Sequence, residues 1–452
     1  MKILFTIADG FHLRYLFDTG LIEKLSKKNH NIILAIPSSL DIGNRQSKFN
    51  QLNLIVEKVP LIKGDFIKKI ILNIRLIQSK DFNDVNSIKY EELKRRKSFL
   101  LVNFILKPLS YFNVLDFFAD ILLRIGPISK VWSNIFRAHN PDLIFLSTPG
   151  QKLFDLEPLQ ISRNKKIISF SAIYSLDNLT AKGLLFTNTN YLSVWSSKMK
   201  DDAIKLHGYN HDTVFIDGAA ITDSFYKFKR LSSAEYRSNF VESIGLEASE
   251  KFLTIATIPQ YYWGTSHINL TRDILEINSD VKILIKPHPL DNTDYSKINS
   301  SRVVIDPFHG GFNNNSAKMD LASWKAPSNH IEQLSNIMMY SECVINVASS
   351  IAIDASIFGT PGINIAFDYE PKNQILPAID LYKYTHYKRI LDTKGTYFVY
   401  DLGELKYAIE LILSKNDTIK YERKLMSEIV YGICDGNSVE RIISSVESIY
   451  GA

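Results

Sequence analysis

Two short stretches carry residue types suited to phosphate chemistry. Residues 283–289 read ILIKPHP and residues 349–361 read SSIAIDASIFGTP. In the first, Ile283, Leu284 and Ile285 are strand-like and deliver Lys286 and His288 to the strand's carboxyl end. In the second, an apolar run at 344–347 delivers Ser349 and Ser350 to the start of a helix. Ligands of open parallel sheets bind outside the carboxyl ends of the strands, and a helix start offers free N–H groups to phosphate. A cation, an imidazole and two hydroxyls on one sheet edge therefore suit a diphosphate, with Asp354 placed one turn into the helix for ribose hydroxyls. The plainer readings are a proline-flanked turn for Lys286 and His288, an N-cap for the serines, and a first-turn acid for Asp354. Thr257 and Gln260 follow the strand expected at 252–256, where a loop can touch the same phosphates, and Gln333 is a candidate neighbour of the base.

Proton-transfer groups are expected in the first half. Asp9, Asp177 and His12 all fall in loops after strands. Transfer to a hydroxyl with inversion needs a general base, and His12 has the imidazole that titrates near neutrality. Asp177 is equally suited to orienting an acceptor; if stereochemistry is retained, the leaving phosphate can take the proton. An N-cap role for Asp9 and a packing role for His12 are the structural alternatives. The chain has no paired Asp-x-Asp, no H-x-x-E-H and no cysteine cluster. The expectation is metal-independent chemistry without a cofactor, in which Lys286, His288 and helix dipoles meet the phosphate charge.

Strands at 2–7, 31–36 and 52–56, with a helix at 15–27, make a β-α-β start. Further strands are expected at 142–146, 166–170, 191–194 and 213–216, then at 252–256, 282–285, 302–305, 343–347, 362–365 and 397–400. Helices near 197–207, 269–277, 331–341, 350–358 and 403–413 alternate with them. At 452 residues, two β/α domains with a cleft between them are the natural organisation. The boundaries fall at 1–222 for an acceptor domain, 223–250 for a polar linker, 251–425 for a nucleotide domain, and 426–452 for a terminal helix that packs back on the first domain.

The net charge of +5 conceals an asymmetry: residues 1–230 hold 33 basic against 21 acidic residues, while the remainder is net negative. A basic half suits an anionic partner such as a membrane face, a lipid diphosphate or an acidic glycan, and an ordinary solvated basic face fits equally. No aromatic-interleaved basic strip points to nucleic acid. Residues 66–77 (FIKKIILNIRLI) and 94–132, opening with KRRK, are basic and apolar together, as interfacial helices are; a core helix with one charged flank fits as well. No long uncharged apolar run or signal-peptide pattern is present, and Cys343 and Cys434 stand far apart, so a cytoplasmic protein, peripheral at most to the inner membrane face, is expected.

Several phrases resemble glycosyltransferases of the GT-B fold that build bacterial surface carbohydrates. Residues 175–183, SLDNLTAKG, resemble an "S-W-D-N-L-T-x-K-G" phrase with Leu176 in place of tryptophan. Val194-Trp195, His207-Gly208, Asp217-Gly218-Ala219 and Asp223 resemble a "V-W … H-G … T-G-A … D" run, with Asp217 where threonine is usual. Lys286 to Pro289 and Ser349-Ser350 are similar to nucleotide-phosphate motifs that CDP-glycerol glycerophosphotransferases share. Residues 384–387, YTHY, resemble a late "T-x-H-F" phrase, and residues 435–442 a closing "D-G-x-A-x-x-R-I" helix. The resemblance implies two Rossmann-like domains facing a cleft, a nucleotide-sugar donor, and a glycan or lipid-linked acceptor. It implies acceptor or cleft contacts for Asn178, Lys182 and His386, and a carboxylate partner for Arg441 that holds the domains together. The rivals are a glycerophosphotransferase, a nucleotide-sugar 2-epimerase, and a non-catalytic sugar-nucleotide-binding scaffold.

Overall fold

The computed structural model describes residues 1–60, 75–76, 104, 108, 121, 123–263, 266–312, 324–325, 327–369 and 376–450, with backbone alone at 260–261, 311–312 and 324–325. The chain forms two compact units, Met1–Ala220 with Tyr431–Ala452, and Ile221–Val430.

The first unit is built on β1 (Lys2–Thr6), β2 (Asn31–Pro37), β3 (Ile55–Val59), β4 (Leu143–Leu146), β5 (Ile168–Ala172), β6 (Tyr191–Val194) and β7 (Val214–Ile216). Their order is β3-β2-β1-β4-β5-β6-β7 and every pairing is parallel. Near-continuous apolar runs such as LIFL in β4 arise because both faces of a parallel sheet are covered. Alternate residues divide between two cores. Ile3, Phe5, Ile32 and Leu34 pack with Val439, Ile442, Ile443 and Val446 of the helix Ser438–Tyr450. Leu4, Ile33, Ile144 and Leu146 pack on the other face with Trp132 and Phe136 of the helix Lys130–His139.

The second unit holds β8 (Phe252–Ala256), β9 (Lys282–Lys286), β10 (Val303–Ile305), a two-stranded antiparallel pair β11 (Gly311–Phe312) and β12 (Trp324–Lys325), then β13 (Val344–Asn346), β14 (Gly362–Ile365) and β15 (Tyr397–Val399). Its main sheet is parallel, in the order β10-β9-β8-β13-β14-β15. In both sheets the strand order reverses beside the first strand, between β1 and β4 and between β8 and β13. These switch points are where a doubly wound sheet opens a crevice at its carboxyl edge.

Several expected elements shift. The helix anticipated at 15–27 starts earlier, at Gly10–Leu13, continues as a π-helical turn Arg14–Asp18, and resumes as Leu21–Lys27 after Gly20 takes a left-handed φ of 87°. The third strand begins at Ile55 rather than 52, because Asn53 is left-handed (φ 52°) just after the helix Arg45–Gln51. The polar stretch 223–250, read as a linker with helical spacing near 234–244, forms most of one unforeseen helix, Ala220–Leu231, and the anticipated one, Ala234–Ser243, whose Phe240 and Val241 are buried in the second unit's core. The basic apolar stretches 66–77 and 94–132 lie almost wholly outside the described residues. Among the described residues no helix is long and apolar enough to cross a membrane.

Candidate functional site

In the first unit the loops after β1, β4 and β5 converge. Asp9 caps the helix Gly10–Leu13, its Oδ1 accepting from the N–H groups of Phe11 (3.0 Å) and His12 (3.2 Å). The same oxygen lies 2.7 Å from His12 Nδ1, a close contact without the alignment of a hydrogen bond. Oδ2 faces Lys152 Nζ at 3.3 Å. Burial alone would raise the Asp9 pKa, but His12 and Lys152 outweigh it and hold the carboxyl well below the usual range. Burial opposes the charge on Lys152, yet Asp9 and Tyr174 raise its pKa. His12 is buried, its ring edge-on to Tyr174 at 4.4 Å, and its Nε2 has no hydrogen-bond partner among the described residues. The π-helical turn directly after it is a feature often found at functional sites.

Beneath this group, fully buried Asp155 ties the switch point together. It accepts from Thr6 Oγ1 at the end of β1, and from Ser147 Oγ, the Thr148 N–H (3.0 Å) and Thr148 Oγ1 after β4. Burial raises its pKa even against these four donors. After β5, Asp177 Oδ1 lies 3.0 Å from Lys182 Nζ and accepts from Ser175 Oγ at 2.6 Å. Lys182 also reaches the Tyr174 hydroxyl at 3.0 Å. Burial works against the Lys182 charge, and Asp177 with Tyr174 still raises its pKa.

The structure thus brings Asp9 and His12 together, and joins Asp177 and Lys182 to the same Tyr174 that His12 touches. Asn178 does not join them as an acceptor contact. It is fully buried, its Oδ1 accepting from the N–H groups of Tyr174 and Ser175 and its Nδ2 donating to Gln151. Lys152, Tyr174 and Asp155 were not singled out from sequence; the polar run STPGQK after a buried strand was the available signal.

In the second unit, Lys286 ends β9 and His288 follows it, both half-buried. The His288 N–H donates to Thr257 Oγ1 at 2.8 Å, so buried Thr257 ties β8 to β9 instead of facing a ligand. His288 Nδ1 accepts from the Leu290 N–H at 3.0 Å, which assigns the ring proton to Nε2. Burial, and then Lys286, push its pKa down to about 4, so the imidazole is neutral at pH 7. His267, beside it, accepts at Nε2 from the Ile258 N–H and is pushed down to about 4 by burial. Gln260 opens a short helix, Gln260–Trp263, and its side chain lies outside the described residues. The Gln333 Oε1 is buried without a partner among the described residues.

After β13, Ser349 is half-buried and Ser350 exposed. The Ser349 N–H is already used, donating to Asn346 Oδ1 at 2.9 Å. The helix expected at 350–358 is the shorter Ile351–Ser356, with half-buried Asp354 inside it. His386 lies on the helix Thr385–Asp392 against Tyr384 and Tyr387. Arg441 does pair with a carboxylate, Asp435, and donates to the Asp217 carbonyl; these partners belong to its own unit, so these bonds are not an inter-domain tie. Among the described residues no group of three or more His, Cys, Asp or Glu side chains is placed to hold a metal ion.

No family model and no curated protein matches the chain. Solved structures do match along its length. The chain is similar to the UDP-GlcNAc 2-epimerase of Methanocaldococcus jannaschii in complex with UDP-GlcNAc and UDP (14% identity, TM-score 0.56, covering 99% of this chain and 100% of that one). It is similar to the UDP-GlcNAc 2-epimerase of Neisseria meningitidis bound to UDP-GlcNAc (11%, 0.54, 99% and 100%). It is also similar to a glycosyltransferase from Rickettsia africae (10%, 0.50, 99% and 97%). At these identities the likeness is one of fold: two Rossmann-like units of the GT-B type.

Proposed function

We propose that the chain is an enzyme acting on a nucleotide-activated sugar. The second unit holds the donor's diphosphate through Lys286, the Nε2–H of His288 and the Ser350 hydroxyl. The first unit supplies proton transfer through His12, kept in place by Asp9. The observation that carries this reading is the buried Asp9–His12 contact of 2.7 Å at the β1/β4 switch point, with the distal imidazole nitrogen unpartnered among the described residues. A carboxylate behind an imidazole fixes the ring and stabilises its protonated form, as a general base requires.

Two chemistries use such a group. Epimerisation at the sugar carbon next to the anomeric centre is the reading favoured by the solved neighbours that are UDP-GlcNAc 2-epimerases. Transfer of the sugar to an acceptor hydroxyl is the second reading. It is favoured by the one buried Asp–His pair among the described residues, because inverting a carbon that bears a proton calls for removal on one face and delivery on the other. A glycan or lipid-linked acceptor and contact with an anionic membrane belong to that second reading, which the basic first half supports.

Incubation with UDP-GlcNAc alone in deuterated water, followed by NMR, separates the two. A 2-epimer carrying deuterium at C2 establishes epimerisation. No exchange, with a glycoside formed only when a hydroxyl acceptor is added, establishes transfer. Neither product with any sugar nucleotide, together with no nucleotide binding, would leave the proposal without support.

A further inference from the structure

The loop after β13 has an unusual backbone. Ala348 adopts φ 45°, in the left-handed region where a Cβ crowds the following carbonyl. A non-glycine residue stays there only when its surroundings hold it. The Ala348 N–H donates to the hydroxyl of Tyr382 at 2.8 Å, and that hydroxyl donates in turn to the Ile365 carbonyl at the end of β14 (3.0 Å). The next N–H, of Ser349, is taken by Asn346 Oδ1, whose amide donates to the Ile363 carbonyl at 3.1 Å. The first N–H beyond these bonds is that of Ser350, whose side chain is exposed.

Tyr382 is itself firmly placed. It is 3% exposed, and its ring packs edge-on against Phe398 (4.7 Å) and Tyr387 (5.3 Å). Tyr387 is in turn flanked by His386 at 5.0 Å. The phrase at 384–387 thus braces Tyr382 through Tyr387. Burial raises the Tyr382 pKa far above the usual phenol range, so the O–H donor persists at any working pH.

We infer that Tyr382 is the positioning residue of the phosphate edge: by holding Ala348 in its left-handed conformation, it presents Ser350 to the diphosphate of the sugar nucleotide. This rests on the proposed nucleotide site in the second unit. Tyr382 touches no ligand; it acts through the loop.

The test is UDP binding to the full chain by calorimetry, with hydrogen exchange of the peptide covering 344–353. Tyr382→Phe keeps the ring and removes both bonds. Its expected result is about tenfold weaker UDP binding and faster exchange in the loop. Adding Ala348→Gly, which takes a positive φ without penalty, is expected to recover about a third or more of the lost affinity. Ala348→Val, which disfavours the same conformation at a half-buried loop position, should reproduce the loss even if Tyr382→Phe fails to fold. UDP binding within twofold of the parent in Ala348→Val and Tyr382→Phe overturns the inference. So does a loss in Tyr382→Phe that the glycine leaves unrecovered, since that is the mark of a merely structural tyrosine. A parent chain that binds no UDP overturns the nucleotide reading instead, and this inference with it.

Discussion

Asp9 serves two partners with one carboxylate, capping a helix through Oδ1 and facing His12 and Lys152 across both oxygens. The N-cap and proton-transfer readings of this residue are therefore compatible, and substitution can separate them. Asparagine caps a helix as well as aspartate but carries no charge. Asp9→Asn keeps the cap but withdraws the charge that His12 and Lys152 favour, so it is expected to lower kcat and to lower the melting temperature less than Asp9→Ala does. His12→Ala should lower kcat by about 10²- to 10⁴-fold, the usual worth of a general acid–base group. A His12→Ala enzyme with undiminished kcat would remove it from the mechanism. At the other sheet edge, His288 with a pKa of about 4 is a neutral donor through Nε2. Nucleotide affinity should then be flat in any His288 contribution between pH 6 and 8. His288→Gln, which keeps an N–H donor, should bind more tightly than His288→Ala in the same calorimetric titration.

The turn from β4 into the helix Leu153–Lys165 shows how one element sets the site. Gly150 sits at φ +91°, and a Cβ built on it would fall 2.6 Å from the Thr187 carbonyl oxygen, a backbone atom that cannot step aside. Gly150→Ala is expected to cost about 1–3 kcal/mol, from strain at a positive φ plus that clash, read as a lower urea midpoint. The same turn shows what was legible in the sequence. Strand β4 could be read from its apolar run, and the polar residues after it marked a carboxyl edge, because both signals are local. The strands of both parallel sheets and several helices were legible for that reason, as were Asp9, His12, Lys286 and His288 as edge residues; the helix Leu153–Lys165 and the pair β11 and β12 were not. Asp155 was not, since its partner Thr6, 149 positions away, meets it only through the β1/β4 pairing. Tyr382 escaped likewise, because its hydroxyl reaches residues 17 and 34 positions away. Asn178 misled in the other direction: its place in a family-like phrase pointed outward, while its amide is spent inside the fold.

Across the whole molecule, the buried ionisable groups divide unevenly between the two units, and this sets a pH response. In the second unit His267 and His288 are both pushed down to about 4, chiefly by burial. A histidine depressed below its unfolded value of 6.5 stabilises fully above that value, and the contribution is lost as pH falls from 6.5 toward 4. At pH 5 the loss is on the order of 2 kcal/mol for each such histidine. The first unit has one of the same kind, His207, also pushed down to about 4 by burial. It also holds Asp18, Asp155 and Asp217, each raised by burial. For an acid with a raised folded pKa the sign reverses: its stabilisation is full below the unfolded value and is lost as pH rises through the folded one. Acidification from pH 7 to 5 therefore withdraws two histidine contributions from the second unit against one from the first, and the raised carboxylates of the first unit act in the opposite direction. The second unit is expected to lose more stability than the first between pH 7 and pH 5. Hydrogen exchange across the melting range at pH 7 and pH 5 reads this directly. Relative to strand β4, strand β9 should lose protection by a clear margin between pH 7 and pH 5. Replacing His267 with a neutral side chain of similar size should narrow that margin. An unchanged order and spacing of the two transitions at both pH values would mean that the buried histidines do not govern the stability of the second unit.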